Sequence, residues 1–434
     1  MGEWKKIDDL FDFEKGILQS SKCKAGKYTF VTAAEDWKTH ESYTHDCEAL
    51  VFAMAASGSL GRTHHVKGKF IASDLCFILT PKNGLQLDLT FYYRLFNFLR
   101  SDIVKKTSTG TSKLSINQTN FSAYQLPYFD YEHQLIFRDR IERINDISEN
   151  ISNGLDDQLA LLKQLRQAVL QEAIEGKLTA KWRAQHPELI RGDNHASKLL
   201  EKIKAEKRTL TESAKHTKKD KPLPPITDAG KPFDLPEGWV WCSPKDLGVF
   251  SGGGTPSTHI KEYWNGNIPW ITPKDMKTED IFDSELYITQ KGLKNSNAMT
   301  LPQNTLIFVV RSGILKRMIP ISITKVVATI NQDLKSWMLF IPTMANFLKI
   351  NIKGNEHRLL HDVIKKGMTV ESFDFDKFKV CFLPLPPLTE QQAIVERVDK
   401  IMAMIDELEK QVSERKEQSE MLMQSVLREA FAKG

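Results

Sequence analysis

The side chains best equipped for chemistry in this sequence are hydrogen-bond donors and cations, and they do not assemble into a catalytic set. Arg311-Ser312-Gly313-Ile314-Leu315-Lys316-Arg317 follows an apolar run and gathers guanidinium, hydroxyl and ammonium groups on one turn. A guanidinium fork fits guanine O6 and N7 or a phosphate, so the turn suits a nucleic-acid contact; the plainer reading is a solvated loop. Earlier in the chain Ser57, Ser59 and Arg62, with His64, His65 and Lys67 just after, form a comparable group. Asn331-Gln332 offers amides that can pair with an adenine edge, or that simply close a strand-end turn. The loop Ser251-Gly252-Gly253-Gly254-Thr255-Pro256-Ser257 brings Thr255 and Ser257 toward a phosphate backbone. It lacks the Gly-Lys-Ser/Thr ending of a P-loop, and no G-x-G-x-x-G with a following acid stands in for it, so no nucleotide cofactor is expected. Trp264 and Trp270 can stack on a base, yet aromatics flanking Pro269 are more often core.

Metal chemistry is not expected either. His64-His65 has no companion ligands at metal spacing. Cys23, Cys47, Cys76, Cys242 and Cys381 lie far apart, which reads as reduced structural thiols in a cytoplasmic protein. Catalytic residues, metals and cofactors are all absent from this reading.

The elements that must position these groups are organised by an internal repeat. An offset of 257 residues pairs Leu126-Pro127 with Leu383-Pro384, Gln134 with Gln391, Ile141 with Val398, Ile144 with Ile401 and Leu155 with Val412. The match ends with Ala168 to Ile174 lying against Ser425 to Phe431. A second offset sets Trp4, Leu10 and Phe13 against Trp241, Leu247 and Phe250. Each half is thus a front module and a tail, the second front module being longer, as insertions in surface loops produce.

Both tails read as long helices. Val398, Ile401, Ile405, Leu408 and Val412 alternate spacings of three and four, as do Ile141, Ile144, Ile147, Ile151, Leu155, Leu159, Leu162, Leu165 and Val169. Thr389 with Gln392 predicts a capping box, and Gly176 a stop. Each helix would run roughly 60 Å, and so narrow a seam needs a partner, the nearest being its own repeat. The front modules mix runs such as Ala49 to Met54 and Thr305 to Val310 with Gly, Ser and Asn turns, predicting α/β globules. Between the halves, Lys198 to Lys219 predicts a basic helix and Pro222-Leu223-Pro224-Pro225 a stiff linker.

Composition fits this plan. The 434 residues call for two to four cores, and 41% hydrophobic residues can build them. A net charge of +5 permits nucleic acid without requiring it. No apolar run approaches the roughly 20 residues that span a bilayer. The first ten residues carry Glu3, Lys5, Lys6, Asp8 and Asp9 where a signal peptide is apolar, so export is not expected.

Four segments then carry a family resemblance: Leu235-Pro236-Glu237-Gly238-Trp239, Ser251 to Ser257, Glu262 to Trp270 with its Ile268-Pro269-Trp270, and Leu385-Pro386-Pro387-Leu388-Thr389-Glu390-Gln391-Gln392. In this order, with the repeat, the chain resembles the specificity subunits of type I restriction-modification enzymes. The first front module departs most, although Gly58-Ser59-Leu60-Gly61-Arg62 looks like the family's strand-end loop.

The resemblance implies an α+β fold: two mixed α/β target-recognition domains separated by two long helices that pair as an antiparallel coiled coil with pseudo-two-fold symmetry. The expected divisions are 1–125 and 235–383 for the recognition domains, 126–180 and 384–434 for the long helices, and 181–234 for the basic helix and linker. It also implies double-stranded DNA with a split asymmetric site, two methyltransferase subunits and, in the complete enzyme, restriction subunits. The chemistry would belong to those partners.

Two other classes remain open. A single-chain adenine methyltransferase would need an Asn/Asp-Pro-Pro-aromatic turn, whereas Pro386-Pro387 stands between Leu385 and Leu388. A coiled-coil scaffold binding proteins only would show no salt-sensitive affinity for DNA.

Overall fold

The computed structural model describes residues 3–56, 58–110, 114–213, 232–367 and 370–433, and divides into two compact units, 1–158 with 411–434 and 159–410. Ser57, the whole Pro-rich linker at 222–225 and the last six residues of the expected basic helix, 214–219, lie outside the described residues.

The first unit begins with β1 (Glu3–Lys6), α1 (Ile7–Leu10), β2 (Phe11–Lys15), β3 (Tyr28–Val31), β4 (Lys38–His40), β5 (His45–Ala53), β6 (Thr63–Ala72) and β7 (Cys76–Pro81). It continues through α2 (Leu89–Phe98), α3 (Arg100–Thr107), β8 (Ser108–Thr109), β9 (Ser115–Ile116), α4 (Gln118–Ser122), β10 (Gln125–Tyr128) and the start of α5 (Tyr131–Ile174). Six strands form one sheet in the order β2-β7-β5-β6-β3-β4. The run Ala49 to Ala53 is buried on both faces because β5 is central. Leu50 and Phe52 join a core with Tyr92, Phe96 and Phe121 on one side, while Ala49, Val51 and Ala53 meet Val66, Phe70 and Ile78 on the other.

The second unit adds α6 (Ala180–Gln185), α7 (Ala196–Ser213), β11 (Val240–Cys242), α8 (Pro244–Leu247), β12 (Gly248–Gly252), β13 (Trp264–Ile271), β14 (Asp280–Ile281), β15 (Tyr287–Ile288), α9 (Gln290–Lys294) and β16 (Thr305–Val309). After these come β17 (Ile321–Thr324), β18 (Thr329–Ile330), β19 (Leu334–Leu339), α10 (Ala345–Gly354), α11 (Glu356–Val363), β20 (Ile364–Lys365), β21 (Ser372–Phe373), α12 (Phe375–Phe378), β22 (Leu383–Leu385) and α13 (Leu388–Lys433). Its main sheet runs β12-β19-β16-β17-β14. That is the order of the first sheet less its last strand, with the β14–β17 pair parallel just as β3–β6 is.

Element by element the two front modules correspond. The Lys6 and Ser243 amides donate to Asp9 and Asp246 at 3.0 and 3.4 Å, opening α1 and α8 alike. Asn117 and Asp374 cap α4 and α12 with their side chains. Gln134 and Gln391 each turn a buried amide back to a carbonyl five residues earlier, Phe129 and Pro386. The faint match at the front of each half is also structural, because β1 pairs with β10 through Trp4 and Pro127 as β11 pairs with β22 through Trp241 and Pro384. The extra length of the second module lies mainly between β12 and β16. Its strands β13 and β15 join β18, which lies between β17 and β19, in a separate three-stranded sheet, β15-β13-β18, where insertions in surface loops were expected.

Both long helices are present, and Gly176, at φ +71°, follows the end of α5 as expected. The capping-box expectation is corrected: α13 starts at Leu388, and the Thr389 hydroxyl donates to the Leu189 carbonyl at 3.3 Å. The seam is narrower than the sequence suggests. Ile141, Leu155 and Val169, and likewise Val398, Ile405 and Val412, are buried at multiples of seven, whereas Ile147, Ile151, Leu165 and Leu408 are exposed. Ile141 joins the core of the first unit, and Val169 and Val398 that of the second; apolar residues spaced by three and four drift around a long helix, so only some of them reach such cover. Within the first unit Lys416 of α13 meets Asp156 of α5 at 2.7 Å. Within the second, Arg166 reaches Asp406 at 2.6 Å and Glu409 at 3.1 Å. Among the described residues no helix is long and apolar enough to cross a membrane, and the five cysteines are free.

Candidate nucleic-acid interface

In the second unit the candidate residues converge on one end of the main sheet. Strand β16 finishes there and β19 begins there, with Val309 opposite Leu334, while β12 leaves beside them, Gly252 opposite Lys335. The Gly-rich loop runs directly over the turn before β19. A Cβ on Gly253 would sit 1.9 Å from the Asn331 carbonyl, and the Gly254 amide bonds to Ile330 at 2.9 Å, so only glycine lets the two backbones approach. This brings the exposed Thr255 hydroxyl onto the Gln332 side chain. Asn331 is different: it is buried, and its amide both donates to Asp333 at 3.2 Å and accepts the Asp333 N–H at 3.1 Å. The alternative weighed for it, a strand-end turn, is what the geometry displays.

Trp264 and Trp270 brace this loop. Their indoles donate to Ser257 and Gly254 carbonyls at 3.1 and 2.9 Å and meet edge to face at 5.0 Å, so the core reading fits them and the base-stacking one does not. Ser257 itself remains exposed.

The turn after β16 leaves Arg311 and Arg317 exposed. Ser312 accepts the Ile314 N–H at 3.3 Å and so starts the turn that carries Lys316, whose ammonium lies 3.5 Å from Glu371. The Val310 amide donates to Asp333 at 3.0 Å, joining this turn to the Gln332 turn. Thr255, Ser257, Arg311, Lys316, Arg317 and Gln332 therefore share one surface.

The first unit repeats the plan with other residues. Ala55 bridges to Ser115 as Arg311 bridges to Ser372, so the turn after β5 is the counterpart of the turn after β16. Arg100 holds that turn, donating to the Leu60 and Gly58 carbonyls at 2.8 and 2.9 Å. Asn97 brackets Thr63, accepting its N–H at 3.1 Å and donating to its carbonyl at 2.9 Å. Neither residue was found from sequence, since both act across more than 30 positions and carry no local signal. Ser59 accepts the Arg62 N–H at 2.9 Å with its carbonyl, and Arg62 lies 3.6 Å from Glu35.

Strand alternation splits the rest of this group. His65 and Lys67 face Glu48 across the sheet at 2.9 and 3.6 Å. His64 points the other way and is buried, accepting the Trp37 indole N–H at 3.1 Å. Burial, helped by the nearby Arg62 charge, holds its pKa below the ordinary histidine value. A neutral, covered imidazole cannot serve as a surface cation, which corrects the expectation for that residue.

A different polar cluster sits at the start of α13. The buried Glu390 carboxylate accepts from Thr179 at 2.8 Å, Arg183 at 2.5 Å and the Trp239 indole at 2.8 Å. Gly238, at φ +88°, passes so close to Ile190 that a Cβ would lie 2.9 Å from its carbonyl. The Leu-Pro-Glu-Gly-Trp segment is thus a structural latch. Among the described residues no group of His, Cys, Asp and Glu is placed to hold a metal.

The model of the type I restriction modification DNA specificity domain matches residues 1–159 and 236–418. The EcoR124I/EcoR124II specificity subunit of Escherichia coli is 38% identical over 161 residues, 37% of this chain and 40% of that protein. The MjaIX specificity subunit of Methanocaldococcus jannaschii is 31% identical over 199 residues, 45% of this chain and 43% of that protein. Each alignment spans less than half of the relative's length. Among solved structures, a chain described under complex assembly and conformational transition of the type I R-M system covers 99% of this chain and 97% of its own, with a TM-score of 0.66 at 15% identity. The HsdS subunit from Thermoanaerobacter tengcongensis covers 99% of this chain and 96% of its own, with a TM-score of 0.53 at 14% identity. These two agree with the fold described above, and with the family model matching both halves, this chain belongs to the type I restriction modification DNA specificity family.

Proposed function

We propose that this chain is the DNA-reading subunit of a type I restriction-modification enzyme and performs no chemistry itself. Its front modules, 1–125 and 235–383, each read one half of a split, asymmetric duplex site. The observation that carries this reading is that two modules of one topology present different polar sets at the same sheet end. Ser59 and Arg62 stand on the turn after β5, and Arg311, Ser312, Lys316 and Arg317 on the turn after β16. Two readers built alike but lettered differently suit a site whose halves differ. Ser57, His65, Lys67, Thr255, Ser257 and Gln332 complete the proposed contact set.

The tails, 126–180 and 384–434, pair antiparallel and fix the spacing between half-sites, with 181–234 joining the halves. Support comes from the ion pairs, in which Asp156 with Lys416 and Arg166 with Asp406 advance in opposite directions along the two helices. The helices also dock two methyltransferase subunits. Exposed apolar residues recur at equivalent places in the repeat: Ile147 and Met404, Ile151 and Leu408, Leu165 and Leu422, between 45% and 66% exposed. On an antiparallel pair these form two like patches, Ile147-Ile151-Leu422 and Met404-Leu408-Leu165, fit for two copies of one partner. Restriction subunits would join the same assembly in the complete enzyme.

Long-read mapping of methylated adenines in a host expressing this chain with its methyltransferase tests the proposal. The expected result is a motif of two unlike blocks separated by a fixed gap; an uninterrupted palindrome overturns it.

A further inference from the structure

The first unit contains a cleft of about 290 Å³ lined by Glu35, Arg62, Thr63, Tyr93, Arg94 and Asn97. Three polar atoms of its lining residues have no partner, the His64 Nε2 being one of them. The Thr63 hydroxyl belongs to a residue only 2% exposed and forms no hydrogen bond, and the Arg94 Nε, on a half-buried side chain, is itself covered and unmatched. Burying a donor without an acceptor is unfavourable, so such groups call for an explanation. The Arg94 guanidinium lies 5.3 Å from the Tyr93 ring, which holds its plane. Arg62 adds a second guanidinium, tied only loosely to the largely exposed Glu35 at 3.6 Å. His64, kept neutral by burial, contributes no charge.

The repeat supplies an internal control. Thr63 pairs with Phe52 as Ile321 pairs with Phe308, and Arg94 occupies the place on α2 that Ile350 holds on α10. Both isoleucines are buried in the second unit's core. This position is one the fold can fill with hydrocarbon, yet the first module places a guanidinium and a hydroxyl there. Stability alone does not account for that choice.

We infer that this cleft binds one phosphodiester of the DNA backbone beside the half-site read by the first module, with Arg94 and Thr63 as phosphate-holding residues. Two guanidinium groups against one carboxylate leave a net positive pocket. A tetrahedral anion has acceptor oxygens for a planar fork and a hydroxyl together. Arg62 closes the turn that bears Ser59, so a phosphate held here sets the register of that turn on the duplex. The inference rests on the DNA-reading proposal.

The test titrates the full chain with a duplex carrying the mapped motif at rising salt, using wild type, Arg94→Gln and Thr63→Val. Arg94→Gln is expected to weaken every duplex about tenfold and to lower the salt slope by about one. Thr63→Val is expected to weaken binding while leaving the melting temperature equal or higher, because it removes an unpaired buried hydroxyl; a merely structural hydroxyl would lower it. Neutral methylphosphonates placed singly along the backbone should reveal one position that weakens wild type but has no further effect on Arg94→Gln. Variants that bind as wild type does, or methylphosphonates that affect both proteins equally, overturn the cleft and leave DNA reading intact. A wild-type chain with no salt-sensitive DNA affinity sinks DNA reading, and the inference falls with it.

Discussion

The Trp239 indole donates to the Glu390 carboxylate at 2.8 Å, joining segments 151 positions apart. Each belongs to a run the sequence singled out, and the bond explains why both runs occur together. Trp239 follows the Gly238 turn, Glu390 lies in the first turn of α13, and Arg183 and Thr179 close the cluster from the stretch after α5.

Removing the carboxylate should therefore be severe. Glu390→Ala leaves the largely buried Arg183 guanidinium without its counter-charge, a change that typically destabilises by about 3–5 kcal/mol. Urea unfolding followed by tryptophan fluorescence measures it. Glu390→Gln, which still accepts from Trp239, should lose less.

Seam and ion pairs should separate cleanly on the helices. Ile405→Ala opens a cavity at a buried position and should cost about 2–4 kcal/mol. Arg166→Ala removes two ion pairs among partly or largely exposed groups and should cost at most about 1 kcal/mol. Equal losses in thermal unfolding would mean that the buried stripe does not hold the helices.

How much of this was legible beforehand depended on whether the signal was local. Long helices, their stop at Gly176 and the central strands β5 and β16 follow from periodicity and apolar runs. The repeat matched Gln134 with Gln391, and the structure shows the same bond to a carbonyl five residues earlier in both. Burial of His64 was not legible, because a strand sends neighbouring residues to opposite faces and nothing local says which face is covered. Exposure of Leu408 was missed for the complementary reason: apolar periodicity registers every greasy position, including those left uncovered. The holds that Arg100, Asn97 and Glu371 exert on the candidate loops lie tens of residues from those loops.

Partner docking gives a stoichiometric prediction. Leu408→Asp should remove one methyltransferase subunit from the assembly, Ile151→Asp should remove the other, and the double variant should carry none. Native mass spectrometry reads the outcome directly, and since both side chains are exposed the fold should survive. A complex that keeps two partners in the double variant would place docking elsewhere.

His64 makes the first unit sensitive to acid. Its pKa in the fold lies below the ordinary value of about 6.5, so the folded state favours the neutral ring. Stability from this group is fully present above the unfolded value and is lost as pH falls through the folded one, at a slope of at most about 1.4 kcal/mol per pH unit. His64→Gln, which can still accept the Trp37 N–H, should flatten that slope in denaturation curves measured from pH 7 downward; an unchanged slope would assign the acid sensitivity to other groups.

In each half the chain goes into its front module on one strand and comes out on the antiparallel neighbour of that strand, β1 beside β10 and β11 beside β22. Such a doorway stays the same width whatever is built behind it. The additional sheet of the second module, which has no counterpart among the described residues of the first, has been accommodated without altering the way its doorway leads into the long helix. What lies between those strands can therefore be exchanged or enlarged while the strand pair and its lead into the long helix stay as they are.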